Sequence, residues 1–397
     1  MKPHRQVHRL ATAGVAGAVV WLTCPAAAPA AAALRAPTGC LPPATTVVAE
    51  PPWAQARLAP AGVWHLTRGA GQTVAVVDSG VAAGVRQLSG AVLPGVPVGS
   101  GVGAANQDCL GSGTFTAGII AARPAADVAF VGVAPAATIL PVRIAGTRWP
   151  DNPRVLDAAI RRAVDRGARV VCVAVPLFDA SAQLRAAVAY AAARDVLVVV
   201  LAPTDEPDRA VPDEQVLRHV LTVGAVDPSG APVGANRPGT VDLVAPGADV
   251  TSLGPGGPGH LVRSGGEAAV PFVAGTAALV RAYHPGLTAA QVKHRLLRTA
   301  DRPGTALPDP RLGWGTVNPY TAVTMVLPEE NVTPAPTVPA AAPTVPPLRR
   351  ERPDRAATTA ALVTVGTATG LTVVLVTVAA AVRHGRARRP QDTGQTV

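Results

Sequence analysis

Three polar side chains stand where chemistry could be done: Asp78, Ser112 and Glu267. Asp78 follows the apolar run Gln72–Val77 and precedes Ser79-Gly80. A buried strand ending this way delivers a carboxylate to the C-terminal edge of a parallel sheet, where open α/β folds keep their sites. Ser112 lies in the small-residue stretch GSGTFTAGIIAA (111–122), and Glu267 in the Gly-Gly turn that opens SGGEAAVPFVAGTAALVRA (264–282). A hydroxyl with two carboxylates has the residue types for acyl transfer, with Ser112 as nucleophile, Glu267 as base and Asp78 as third member. Two carboxylates brought close should push one pKa upward. The blander arrangement is structural: Ser112 donates to Glu267, the helix N-terminus favours that carboxylate, and the cleft is plugged. His260 is the histidine nearest this turn in sequence; in its Gly/Pro loop it is expected to be solvated rather than to serve as a base.

The elements that must position these groups are legible in the apolar pattern. From Val270 onward the 264–282 stretch stays apolar, so its helix should be buried all round, with Pro271 in the first turn where a missing N–H costs nothing. Alanines and glycines along it allow close approach from several sides. Strands are expected at Gln72–Val77, Val128–Val133, Thr138–Ile144, Arg169–Val175, Val196–Leu201, Val216–Val226 and Val241–Ala245. Helices are expected at Val155–Arg166 and Ala180–Arg194, and Trp53–Arg68 is amphipathic. This alternation predicts an α/β fold with a mainly parallel sheet.

The 397 residues suffice for one large domain plus accessories. The net charge of +10 comes almost wholly from arginine, since Lys2 and Lys293 are the only lysines. No basic stripe is interleaved with aromatics, so nucleic acid is not an expected partner, and neither metal nor cofactor is expected. Residues 1–33 read as a signal peptide, with Lys2, Arg5 and Arg9 ahead of the apolar Leu10–Cys24. Residues 34–68 form an N-terminal extension, 69–325 the main domain and 326–355 a proline-rich spacer. Residues 356–382 are uncharged over 27 positions, about 40 Å of helix against a ~30 Å hydrocarbon core, and are read as a membrane span. The basic tail 383–397 would lie in the cytoplasm and the domain outside. Export implies an oxidising compartment. With Cys24 removed in the leader, a Cys40–Cys109 disulfide leaves Cys172 as a buried thiol.

Four segments, VAVVDSGV (74–81), GSGTFTAGIIAA (111–122), GVAPAATILPVRI (132–144) and SGGEAAVPFVAGTAALVRA (264–282), resemble in order those of the subtilisin-like serine proteases, over about residues 50–325. LTRGAGQTVAVVDSGV, the Asp108-Cys109 pair, a cysteine in the extension, LGWGTVNPY, the spacer and the C-terminal span resemble more narrowly the mycosins, membrane-anchored subtilases of type VII secretion systems. The resemblance implies a three-layer fold and peptide-bond cleavage by a Ser/His/Asp triad. Asp78 matches the family's aspartate, but Ser112 stands at the general-base position and Glu267 at the nucleophile position. Ala202-Pro203-Thr204-Asp205 replaces the segment carrying the oxyanion-hole Asn, with Thr204 nearest that position. Pro176 replaces a cleft glycine and cannot donate to an added peptide strand.

These departures remove the mechanism. A serine hydroxyl takes no proton near neutral pH, and a carboxylate at Glu267 repels a developing oxyanion. Loss of one oxyanion donor alone costs ~10²–10³ in rate. The sequence therefore predicts an inactive homologue acting as a structural component, with type VII secretion membrane subunits as partners. A rearranged-site protease acting on secreted proteins is the alternative, although Ser112 would lie on the wrong side of the cleft for oxyanion donors. A surface module that binds a peptide or secreted protein in the old cleft is the third.

Overall fold

The computed structural model describes residues 40–99, 102–149, 155–175, 181–205, 213–330 and 355–386. The expected signal peptide, Pro176, most of the spacer and most of the basic tail lie outside them. The chain divides into two compact units, residues 1–331 and 332–397.

Strands of the first unit are β1 (Thr73–Asp78), β2 (Val96–Pro97), β3 (Thr138–Arg143), β4 (Val170–Val173), β5 (Leu197–Leu201), β6 (Val220–Val226), β7 (Pro232–Val233), β8 (Leu243–Pro246), β9 (Val250–Leu253) and β10 (His260–Arg263). Its helices are α1 (Trp53–Leu58), α2 (Ser112–Ala121), α3 (Val155–Asp165), α4 (Ala182–Ala193), α5 (Glu214–His219), α6 (Val270–Tyr283), α7 (Ala289–Arg298) and α8 (Pro319–Thr324). The main sheet runs β2-β3-β1-β4-β5-β6-β7, with β8 also paired to β6, and only the β6–β7 pairing is antiparallel. β9 and β10 form a separate antiparallel hairpin.

Valine-rich strands suit this sheet because it is covered on both faces. Side chains alternate along β1: Val74 and Val76 join the core formed with α2 and α6, while Ala75 and Val77 join the one formed with α3 and α4. The result is the expected three-layer α/β arrangement. Every residue of α6 from Val270 to Arg281 is buried. Small residues make that possible: a Cβ on Gly275 would lie 2.8 Å from Val133 Cβ, and one on Gly118 of α2 would lie 2.4 Å from Ser252 Oγ.

Two expected strands differ. Val128–Val133 is irregular chain folded back on α2, with Val133 N–H donating to Ile119 O (2.8 Å) and Gly132 N–H to Ala122 O (2.9 Å). Its apolar residues satisfy burial without strand pairing. The first part of Val216–Val226 is helical instead, because the Asp213 carboxylate accepts Val216 N–H at 3.0 Å and caps α5.

In the second unit, Arg355–Arg386 forms the helix α9, with Leu371 and Val373–Val376 exposed. Among the described residues no helix is long and apolar enough to cross a membrane. The stretch expected to span thus forms the helix but not, within those residues, the required apolar run. Threonines and glycines such as Thr369, Gly370, Thr372 and Thr377 dilute it.

Candidate active site

Asp78 ends β1, paired in register with Arg143 of β3, and is completely buried. Its carboxylate accepts the Ser79 backbone N–H (2.7 Å) and the Thr116 hydroxyl (3.1 Å). The hydroxyl of Ser112, first residue of α2, also hydrogen-bonds to it. Burial, followed by the nearby Asp108 charge, pushes the Asp78 carboxyl up to about 7 against the pull of these three donors. A glycine must follow Ser112, since a Cβ on Gly113 would fall 1.9 Å from Gly80 O.

Asp108 organises the site, and it was visible in the sequence only as the neighbour of Cys109. One carboxylate oxygen accepts the Ser79 hydroxyl and the Gly111 N–H, both at 2.8 Å. The other accepts the Thr114 N–H (2.8 Å) and the Thr114 hydroxyl (2.7 Å). Ser79 Oγ in turn accepts Gly113 N–H at 3.1 Å. The carboxylate therefore caps the N-terminus of α2, where both unsatisfied N–H groups and the helix dipole favour it. The spacing Asp108-x-x-Gly111 ahead of a buried helix was the available signal.

Glu267 is exposed in the one-turn helix Gly266–Ala268. Its carboxylate folds back over Gly265, where a Cβ would lie 2.4 Å from Oε2 and where φ is +148°. Among the described residues it has neither a hydrogen bond nor an ion pair. The expected Ser112–Glu267 bond is thus absent, and the second carboxylate acting on Asp78 is Asp108. A charge left in water avoids the desolvation that joining the buried cluster would require.

Thr204 is half-buried beyond β5 and bridges to Asn236. The backbone around it is consumed: Asp205 N–H donates to Ala235 O and Arg237 N–H to Pro203 O, both at 2.8 Å. Pro203 has no N–H to offer and Thr204 carries no amide side chain, so neither supplies the group that the resemblance places in an oxyanion hole. His260 is buried, 6% exposed, rather than solvated, because the N-terminal extension covers it; it does not reach Asp78.

Cys40 and Cys109 are joined in a disulfide that fixes the extension beside Asp108, with Leu41 N–H donating to Cys109 O at 2.8 Å. Cys172 is free and buried, and burial with the Asp78 charge pushes its thiol well up. An open cavity of about 430 Å³ lies against the disulfide, Asp108 and Arg143. The Arg143 guanidinium is spent on the carbonyls of Ala104 and Ala145, both at 2.8 Å, and of Gly146. The assembled groups can hold a proton between Asp78 and Ser112, but no ring nitrogen is present to shuttle it.

The parallel sheet, the buried α6 and an aspartate at the end of β1 define a protease-type fold. The subtilase family profile matches residues 69–315, more than half of the chain, which therefore belongs to the subtilase family. Within that family it is similar to Mycosin-4 of Mycobacterium tuberculosis, 38% identical over 306 residues that cover 66% of each chain. It is also similar to Mycosin-1 of the same organism, 32% identical over 382 residues covering 80% of this chain and 82% of that one. Among solved structures it resembles MycP1, described as a serine protease and an essential component of the type VII (ESX-1) secretion system. The TM-score is 0.60 at 30% identity, covering 72% of this chain and 92% of that one.

Proposed function

We propose that this chain is a proteolytically inactive mycosin-like subtilase that serves as a structural component of a type VII secretion assembly. One observation carries the reading: buried Asp78 faces the hydroxyls of Ser112 and Thr116 where a protease needs an imidazole, while Glu267 stands exposed with no partner among the described residues. A folded core kept without its proton-transfer groups fits a protein that binds rather than cleaves. The description of MycP1 as a secretion-system component supports the assignment to such an assembly. The uncharged 356–382 stretch, followed by the basic run from Arg383, supports membrane anchorage with the domain outside; resistance of the chain to alkaline carbonate extraction tests it.

The deciding experiment purifies the chain in mild detergent, treats it with a fluorophosphonate probe and identifies companions after crosslinking. Absence of label and co-purification of secretion membrane subunits are expected. Labelling of Ser112 together with peptide hydrolysis overturns the reading. A second reading, hydrolysis by a rearranged site, is favoured by one feature: a carboxyl at about 7 beside a hydroxyl is a better base than an ordinary aspartate. The same labelling decides it.

A further inference from the structure

The N-terminal extension crosses the β9–β10 hairpin as a strap. Gly259 N–H donates to Ala44 O (2.9 Å) and His260 N–H to Thr46 O (2.8 Å); from the other side Ala129 N–H reaches Val48 O (3.4 Å). The hairpin turn Gly254-Pro255-Gly256-Gly257-Pro258-Gly259 is shaped to receive it. A Cβ on Gly254 would lie 2.3 Å from Ala44 Cβ, one on Gly257 2.3 Å from Ala44 O, and one on Gly259 2.5 Å from the Ala44 carbonyl carbon.

The two ends of the strap are fastened differently. At Cys40 the fastening is covalent. At Val48 it is non-covalent: beside the Ala129 N–H on its carbonyl, the Val48 backbone N–H donates to His260 Nδ1 at 3.3 Å, the side chain in this fastening. That bond requires an unprotonated Nδ1, so the ring's proton sits on Nε2. Nε2 is buried and has no partner among the described residues, and the ring packs edge-on against Phe130 at 5.4 Å.

Among the described residues no charged group is bonded to this ring. Glu50 on the strap and Asp127 on the adjoining loop are exposed. Arg123 of that loop bonds to Gly90 O, Asp249 on the hairpin to Ser264, and Arg263 of β10 to Leu110 O. Burial holds the ring below its ordinary pKa, partly offset by the Thr46 carbonyl.

We propose that His260 is an acid-sensitive latch for the extension. Neutral, it holds residues 44–48 on the hairpin. Protonated, its Nδ1 becomes a donor facing the Val48 donor and its charge lacks a counter-ion, so the strap lifts while the disulfide keeps Cys40 in place. Lifting uncovers Phe130 and the groove that Val47 lines with Gln87, Leu253 and Pro258.

Hydrogen exchange on the full chain in detergent, at about pH 7.5 and about pH 5 and corrected for intrinsic rates, tests the latch. Peptides covering 41–50 and 257–263 should lose protection at the lower pH, by up to about tenfold for each unit that the pH falls below the ordinary imidazole value while the held ring stays unprotonated. β1 and β5 should keep theirs. His260→Gln, which retains an acceptor and does not titrate, should hold the strap at both pH values; His260→Phe, which keeps the ring edge but no acceptor, should loosen it at both. Asp78→Asn should leave the response in place. Equal protection at both pH values in the unmodified chain overturns the proposal, as does an unchanged response in either His260 variant.

Discussion

Asp78 and Asp108 grip the two ends of one residue: the first binds the Ser79 backbone N–H at 2.7 Å and the second its hydroxyl at 2.8 Å. Asp78 is thereby part of a carboxylate network that closes on α2. Burial and the neighbouring negative charge both favour its protonated form.

The pH dependence of stability follows from that shift. The Asp78 carboxyl titrates at about 7 in the folded chain against 3.8 as its ordinary value, so the folded state binds more protons between these limits. Its contribution is fully present below the lower value and lost as pH rises through about 7. Asp78→Asn should raise stability at about pH 8 by on the order of 4 kcal/mol, with little effect at about pH 4. Denaturant unfolding across this range checks the slope.

Removing the second carboxylate should act in two ways. Asp108→Ala leaves the Gly111 and Thr114 N–H groups uncapped and should lower stability by about 2–3 kcal/mol. It also removes a negative charge from beside Asp78, whose titration, followed by carboxyl infrared absorption, should move downward.

The glycine after Ser112 is sterically obligatory. Gly113→Ala drives a methyl group into Gly80 O, 1.9 Å away, and backbone cannot yield as a flexible side chain does. A loss of at least about 3 kcal/mol is expected, measured by thermal or denaturant unfolding.

Restoring two of the family's groups should not restore a protease. Ser112→His with Glu267→Ser supplies the imidazole and hydroxyl that the family resemblance implies, but leaves no amide side chain at Thr204. Peptide hydrolysis should stay ~10²–10³ below that of a triple variant that adds Thr204→Asn. Equal rates for the double and triple variants would show that the donor comes from elsewhere.

Much of this architecture could be read from the chain. Alternating valine runs and helical stretches gave the parallel sheet, because a strand buried on both faces has to be apolar throughout. The unbroken small-residue run after Val270 gave the buried α6 for the same reason. The Cys40–Cys109 pair followed from the apolar setting of Cys172, which makes that thiol a poor bridging partner. Where short apolar runs were ambiguous, pattern failed: Val128–Val133 packs on α2 outside the sheet, and Asp213 turned the start of an expected strand into α5.

The site itself divides along the same line. Sequence alone determined what these side chains lack, since Ser112 carries no basic nitrogen in any fold and Pro203 has no N–H to donate. Only the tertiary structure decided which groups meet. Glu267 turned outward and Asp108 inward because a carboxylate enters a buried cluster only where enough donors await it. Asp108 finds four of them, three at the start of α2 and the Ser79 hydroxyl after β1, and Glu267 finds none among the described residues. The burial of His260 was decided in the same way, by a strap more than two hundred positions distant in sequence that folds across it.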